Sequence, residues 1–196
     1  MKTTVIAVVG SKSSGKTTTI EALTRELTKR GHKVAAIKHI PEVNFTIDTK
    51  DKDTWRFAQA GAKTIISVAS QEIATIEKVN EADFSLENIL RKCEDHDIVI
   101  LEGFRKLVSK NENIPKIVVA KSKKEALEAL DQFKPILAFT GPYSTEKMNL
   151  KVPYVDVLKK PEKIADIVEK LAIKRRIEKI EFRKQKTKEK GNAENL

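Results

Sequence analysis

Five apolar residues, Val5-Ile6-Ala7-Val8-Val9, run directly into Gly10-Ser11-Lys12-Ser13-Ser14-Gly15-Lys16-Thr17, and an amphipathic stretch follows. The octet fits G-x-x-x-x-G-K-[ST], and its flanks give the pattern meaning: a strand before it and a helix after it. Gly10 and Gly15 permit a tight turn whose successive backbone N–H groups face phosphate oxygens, and the helix N-terminus adds the positive end of its dipole. In that setting Lys16 neutralises β and γ oxygens, and Thr17 offers its hydroxyl to a Mg²⁺ that bridges them. Lys12 reaches a phosphate or an acidic partner, or it is simply solvated. With Thr18, these residues are the candidate nucleotide contacts.

The rest of the chain reads as α/β. Apolar β-branched runs alternate with helix-period segments, the pattern of βαβ units and a mainly parallel sheet flanked by helices. Strands are expected over Thr4 to Val9, Val34 to Ile37, Asp97 to Leu101, Lys116 to Ala120 and Pro135 to Phe139, with Thr64 to Ala69 and Glu72 to Ile76 as a pair. Helices are expected from about Lys16 to Arg30, stopped by Gly31, and from Asp53 to near Gly61, capped by Asp53 or Thr54. Two more are expected from Ser85, carrying Leu86, Ile89, Leu90 and Cys93 inward, and over Lys123 to Gln132. A long basic helix follows Pro161. The expected division is a nucleotide-binding domain over 1–172 and a basic helical extension over 173–196, fraying or disordered from about Arg183.

The net charge of +10 favours polyanionic partners, although much of the surplus lies after Lys159. One cysteine and three histidines are too few for a Cys/His metal site or an internal disulfide. With no export signal and no run of roughly 20 apolar residues, a cytoplasmic location is expected.

A phosphate loop needs an acid at the carboxyl end of a neighbouring strand. Glu102, closing Asp97-Ile98-Val99-Ile100-Leu101, meets that need, or else is an ordinary surface glutamate. Asp97 opens the same strand, so it belongs at the opposite rim as a cap or surface residue. In Asp48-Thr49-Lys50-Asp51-Lys52-Asp53-Thr54-Trp55-Arg56-Phe57, the acids can serve the metal's outer shell or position a water; equally, the segment can be a solvated loop with a capped helix. Trp55 is a core or interface anchor by default.

Together, the N-terminal phosphate loop, Ile37-Lys38-His39, the block from Asp48 to Ala62 and Ile100-Leu101-Glu102-Gly103-Phe104 resemble the molybdopterin-guanine dinucleotide biosynthesis protein B family, MobB. The resemblance covers the first 105 residues or so. It implies a P-loop NTPase fold, GTP as the nucleotide, Mg²⁺, slow hydrolysis and a homodimer. It also implies an accessory role toward the guanylyltransferase that joins GMP to molybdopterin, with a molybdoenzyme or molybdopterin itself as further candidate partners. Carried over, Gly10 to Thr17 bind phosphates, Thr17 and Glu102 serve Mg²⁺, and Asp48 and Asp53 lie near the γ-phosphate. Lys16, Asp48 and Asp53 are thus the catalytic candidates. Ile40-Pro41-Glu42-Val43-Asn44 stands where family members often carry additional histidines.

No Asn-Lys-x-Asp clamp for guanine is present; Ala120-Lys121-Ser122 or Thr140-Gly141-Pro142-Tyr143 could substitute for it, or be plain strand-to-loop junctions. Two other readings compete. A small-molecule or nucleoside kinase would need an arginine-bearing lid, to which Arg56 and Arg105 could contribute. A nucleotide-switched nucleic-acid binder would use the basic terminal helix, which lacks the interleaved aromatics of a single-strand platform.

Overall fold

Apolar side chains on both sides of a strand dictate helices above and below it. In β1, Thr4–Gly10, Ile6 and Val8 face one way and Ala7 and Val9 the other, and none is more than 1% exposed. A strand buried on both faces belongs at the centre of a layered parallel sheet. The computed structural model, which describes residues 3–80 and 84–193, has β1 in that position. It lies between β5, Ile98–Glu102, and β6, Lys116–Val119; β2, Val34–Lys38, and β7, Ile136–Thr140, form the edges.

The order β2-β5-β1-β6-β7 is parallel throughout, with Val8 opposite Glu102 and Gly10 opposite Val119. All five carboxyl ends therefore share one rim. The chain leaves β1 toward one side of the sheet and β6 toward the other, so the crevice between them is where such a sheet receives ligand.

One face of the sheet is covered by α1, Lys16–Lys29, and the first turns of α6, Pro161–Ala193, while α5, Lys123–Gln132, connects β6 to β7. Leu23 and Leu27 from α1 and Ile164 and Val168 from α6 pack with Ile6, Val8, Ile98 and Ile100. Each such aliphatic side chain contributes about 1.5–3 kcal/mol on burial. A polar clamp closes the edge of this layer. Arg30 donates to Glu26, Asp166 and Glu169, and His32 Nε2 lies 2.7 Å from Glu169 Oε1. Burial works against the Glu169 carboxylate, but hydrogen bonds from His32 and Arg30 outweigh it and hold its carboxyl below the usual range.

Two compact units are distinguished, Met1–His39 with Cys93–Leu196, and Ile40–Lys92. The second carries α2, Asp53–Gln59, an antiparallel hairpin of β3, Thr64–Val68, and β4, Ile73–Glu77, and α3, Leu86–Arg91. The paired strands are as expected. Ser85 caps α3 by accepting from the Asn88 amide; Leu86, Ile89 and Leu90 are only half-buried.

The cap of α2 differs from expectation. Lys52 holds the N-cap position, because the Thr54 hydroxyl is donated to Asp48 Oδ1 at 2.8 Å and Asp53 falls in the first turn. A short helix the sequence did not suggest, α4, Arg105–Val108, follows the left-handed pair Gly103 and Phe104. The backbone of α6 is helical to Ala193; Lys, Arg, Glu and Gln have high helix propensity even without a burial pattern. Residues 194–196 lie outside the described residues. Among the described residues no helix is long and apolar enough to cross a membrane.

Replacing Glu169 by Gln is expected to destabilise the fold by about 1 kcal/mol, lowering the melting temperature by about 2–4 °C near neutral pH. The folded carboxyl lies below its unfolded value of about 4.3. Its contribution is therefore complete above that pH and lost as the pH falls through the folded value. Thermal unfolding followed by circular dichroism across pH 3–7 should show the two proteins converging in acid.

Candidate functional site

The phosphate loop is held by a contact that only glycine permits. A Cβ on Gly10 would lie 2.5 Å from the Val119 carbonyl oxygen and 2.7 Å from Ser14 Oγ, so β1 and β6 approach too closely there for any side chain. At the other end of the loop Gly15 caps α1 with φ 98°, a backbone region glycine enters without penalty. The first amides of α1 have no intrahelical partners. Together with the loop they form a concave donor surface.

Lys16 folds back over this surface, and its Nζ donates to the carbonyls of Ser11 at 2.7 Å and Gly10 at 3.3 Å. Burial pulls its ammonium below the ordinary lysine range, while the Glu102 charge acts in the opposite sense. Thr17 Oγ1 lies 3.4 Å from both carboxylate oxygens of Glu102, so the expected metal pair comes together across the α1 start and the β5 end. Lys38 Nζ, 3.5 Å from Glu102 Oε1, joins them from the edge strand. Lys121 Nζ donates to the Lys12 carbonyl at 3.1 Å, bracing the loop from the end of β6.

Lys12, Lys16, Lys38, Thr17 and Glu102 line one cavity of about 410 Å³. Three ammonium groups against one carboxylate suit a polyphosphate. Ser14 Oγ is buried without a partner among the described residues, and a buried hydroxyl is ordinarily satisfied. The residues present thus fit a nucleotide phosphate chain with a divalent cation: oxygen donors at Thr17 and Glu102 suit Mg²⁺, which takes few protein ligands and otherwise keeps water and phosphate oxygens.

Gly10, Ser11, Ser13, Gly15 and Thr18 lie on the same loop and helix start. Asp97 is at the opposite end of β5, where its carboxylate accepts from the Lys33 amide at 2.9 Å. Asp48 and Asp53 belong to the second unit. Asp48 Oδ1 accepts from Thr49 N and Thr54 Oγ1, while Oδ2 is buried and unpartnered; Asp53 is exposed and 3.9 Å from Arg56. Lys38 carries no role in the sequence reading; its place at the end of a strand that finishes beside Glu102 is the signal that could have found it.

The sequence profile described as Molybdopterin guanine dinucleotide synthesis protein B matches residues 5–141. The chain belongs to this family.

Among its relatives, a protein of Methanocaldococcus jannaschii named for an adapter role in molybdopterin-guanine dinucleotide biosynthesis is 39% identical over 152 residues, 76% of this chain and 60% of that protein. The chain thus spans less than two thirds of that relative. The molybdopterin-guanine dinucleotide biosynthesis adapter protein of Haemophilus influenzae is 30% identical over 168 residues, covering 84% of this chain and 87% of its own. A crystal structure of molybdopterin-guanine biosynthesis protein B superposes with a TM-score of 0.66 at 28% identity, over 86% of this chain and 98% of the other. The Bacillus subtilis MobB structure, at 23% identity and TM-score 0.65, covers 83% of this chain and 96% of its own, and shares the fold. This chain shares with these solved structures a mainly parallel α/β architecture of the P-loop NTPase type.

Gly10→Ala forces a Cβ onto the Val119 carbonyl, an overpacking expected to cost about 1–3 kcal/mol. Urea unfolding should show the midpoint of this variant lowered, and the Lys16→Ala midpoint close to that of the unaltered chain.

Proposed function

We propose that the chain is a GTP-binding adapter of molybdopterin-guanine dinucleotide biosynthesis that assists the guanylyltransferase attaching GMP to molybdopterin, working in the cytoplasm as a homodimer. The observation that carries the reading is the cavity in which the phosphate loop, three lysines, Thr17 and Glu102 converge. Family membership and the names of the relatives supply the pathway.

In this reading the loop amides and Lys16 bind the β and γ phosphates. Thr17 and Glu102 hold Mg²⁺, which when bound screens the charge between them. Lys38 adds a second cation from the sheet edge. Asp48, whose Oδ2 has no partner among the described residues, and Asp53 keep the role near the γ-phosphate that the family resemblance implies. Slow turnover fits a phosphate loop with no arginine among the described residues lining the cavity, since an arginine finger typically adds 10³- to 10⁵-fold. Such a protein acts through nucleotide-dependent partner contact rather than through product formation.

The homodimer is supported by the hairpin of the second unit. Ile66, Val68 and Ile73 are 59%, 75% and 69% exposed, and Val68 is directly opposite Ile73 in the register. Exposed apolar clusters of this kind mark contact surfaces, and a second copy of the same chain is the occupant we assign.

In equilibrium binding with Mg²⁺, GTP is expected to compete for a fluorescent guanine nucleotide far better than ATP, and Lys16→Ala to abolish binding. Glu102→Gln should weaken GTP mainly by reducing its Mg²⁺ dependence. Affinity capture should recover a guanylyltransferase, while rapid phosphate transfer to a small acceptor would establish a kinase instead. Ile66→Lys with Val68→Lys should convert the dimer to monomer in light scattering without altering nucleotide affinity; an unchanged dimer would reject the hairpin as the contact.

A further inference from the structure

A second cavity, of about 390 Å³, adjoins the first within the same unit and shares Ser14, Gly15 and Thr18 with it. It opens past the end of β7, where Thr140, Gly141 and Pro142 form one side. Its other side is made by Tyr154, Asp156, Val157 and Leu158, residues to which no role has been attached so far. They are there because the chain returns to the sheet after β7. Phe139 N donates to the Pro153 carbonyl and Val155 N to the Phe139 carbonyl, each at 2.8 Å, so Pro153, Tyr154 and Val155 lie along β7 in parallel orientation. A parallel addition ends on the same rim as the other strands. The residue just beyond it is Asp156.

The chemistry of the cavity is that of a site for a flat, polar-edged ring. Pro142, Val157 and Leu158 supply apolar walls, and Leu158 is 71% exposed, unusual for a leucine unless it has a surface to cover. Tyr154 Oη donates to the Gly141 carbonyl at 2.7 Å, which ties the two sides together.

Two hydroxyls lining the cavity, Ser14 Oγ and Thr140 Oγ1, have no partner among the described residues, although the residues are only 2% and 0% exposed. An unpaired buried hydroxyl is unfavourable, so a polar ligand atom that reached either one would be favoured. Asp156 is fixed by its own turn. Oδ1 accepts from the amides of Leu158 at 3.2 Å and Lys159 at 3.3 Å, and among the described residues Oδ2 meets only the Lys159 ammonium, at 3.4 Å. A carboxylate has about four acceptor positions, which leaves lone pairs on both oxygens available.

We propose that this cavity is the nucleoside subsite and that Asp156 selects guanine, its carboxylate accepting from the ring N1–H and the 2-amino group. The inference rests on the nucleotide-binding reading given above and deepens it. Guanine alone among the common purines presents two adjacent donors on that edge. Adenine presents a bare N1 acceptor beside C2–H, and xanthine replaces the amino donor with a carbonyl, so each leaves the carboxylate mismatched. The site thus needs no Asn-Lys-x-Asp sequence, because an acid placed by strand addition does the same work.

The test is equilibrium binding of the magnesium salts of GTP, ATP and xanthosine triphosphate to the full chain and to Asp156→Asn. Asparagine keeps the turn, since its side-chain oxygen also accepts from backbone amides, and it offers an N–H to the xanthine carbonyl. The unaltered chain is expected to favour GTP over xanthosine triphosphate by about tenfold or more, and the variant to reverse that order, each hydrogen bond to a charged group being worth roughly 10- to 150-fold. A variant that binds nucleotide with an unchanged ratio overturns the assignment of Asp156. Failure of the unaltered chain to bind any triphosphate overturns the phosphate-loop reading, and this subsite with it.

Discussion

The close approach of β1 to β6 at Gly10 is the constraint on which the site depends. With a Cβ-sized gap closed to 2.5 Å from the Val119 carbonyl, the chain must turn sharply out of a fully buried strand, and the amides of the turn are directed outward. That geometry is affordable only because Ile6, Val8, Val118 and Val119 are packed among helices and cannot yield. On the proposed nucleotide-binding reading, rigidity in the sheet would preform the loop as a cradle for the phosphates rather than leave it to be ordered by its ligand.

Charge then follows topology. Parallel strands bring Lys38, Glu102, Lys121 and the loop to one rim, although they are distant in sequence. Lysine at the loop, at an edge strand and at the end of β6 concentrates positive charge where a polyphosphate would lie, and the single Glu102 beside Thr17 leaves room for one divalent cation.

Much of this was legible in the sequence, and the reasons are local. The phosphate loop is a contiguous octet whose every residue has its own requirement, and strands such as Ile98 to Leu101 announce burial on both faces by an unbroken apolar run. Glu102 could be placed because strand direction in a parallel sheet fixes which end is which. Asp156 could not be placed, since its position depends on Pro153 to Val155 joining β7, three residues with no strand signature of their own. The cap of α2 was misread for a related reason: Asp48, five residues before Asp53, captures the Thr54 hydroxyl, and single-residue cap preferences do not register that competition. α4 was missed because a left-handed Phe104 is not a conformation that sequence preferences suggest.

The central claim is that the backbone between Gly10 and Thr18 grips a guanine nucleotide's phosphates. Hydrogen–deuterium exchange with and without magnesium GTP measures those amides directly. The account predicts strong slowing in peptides covering residues 10–18 and a second, smaller slowing in those covering residues 140–158. Exchange in the phosphate loop that is indifferent to saturating GTP would contradict it.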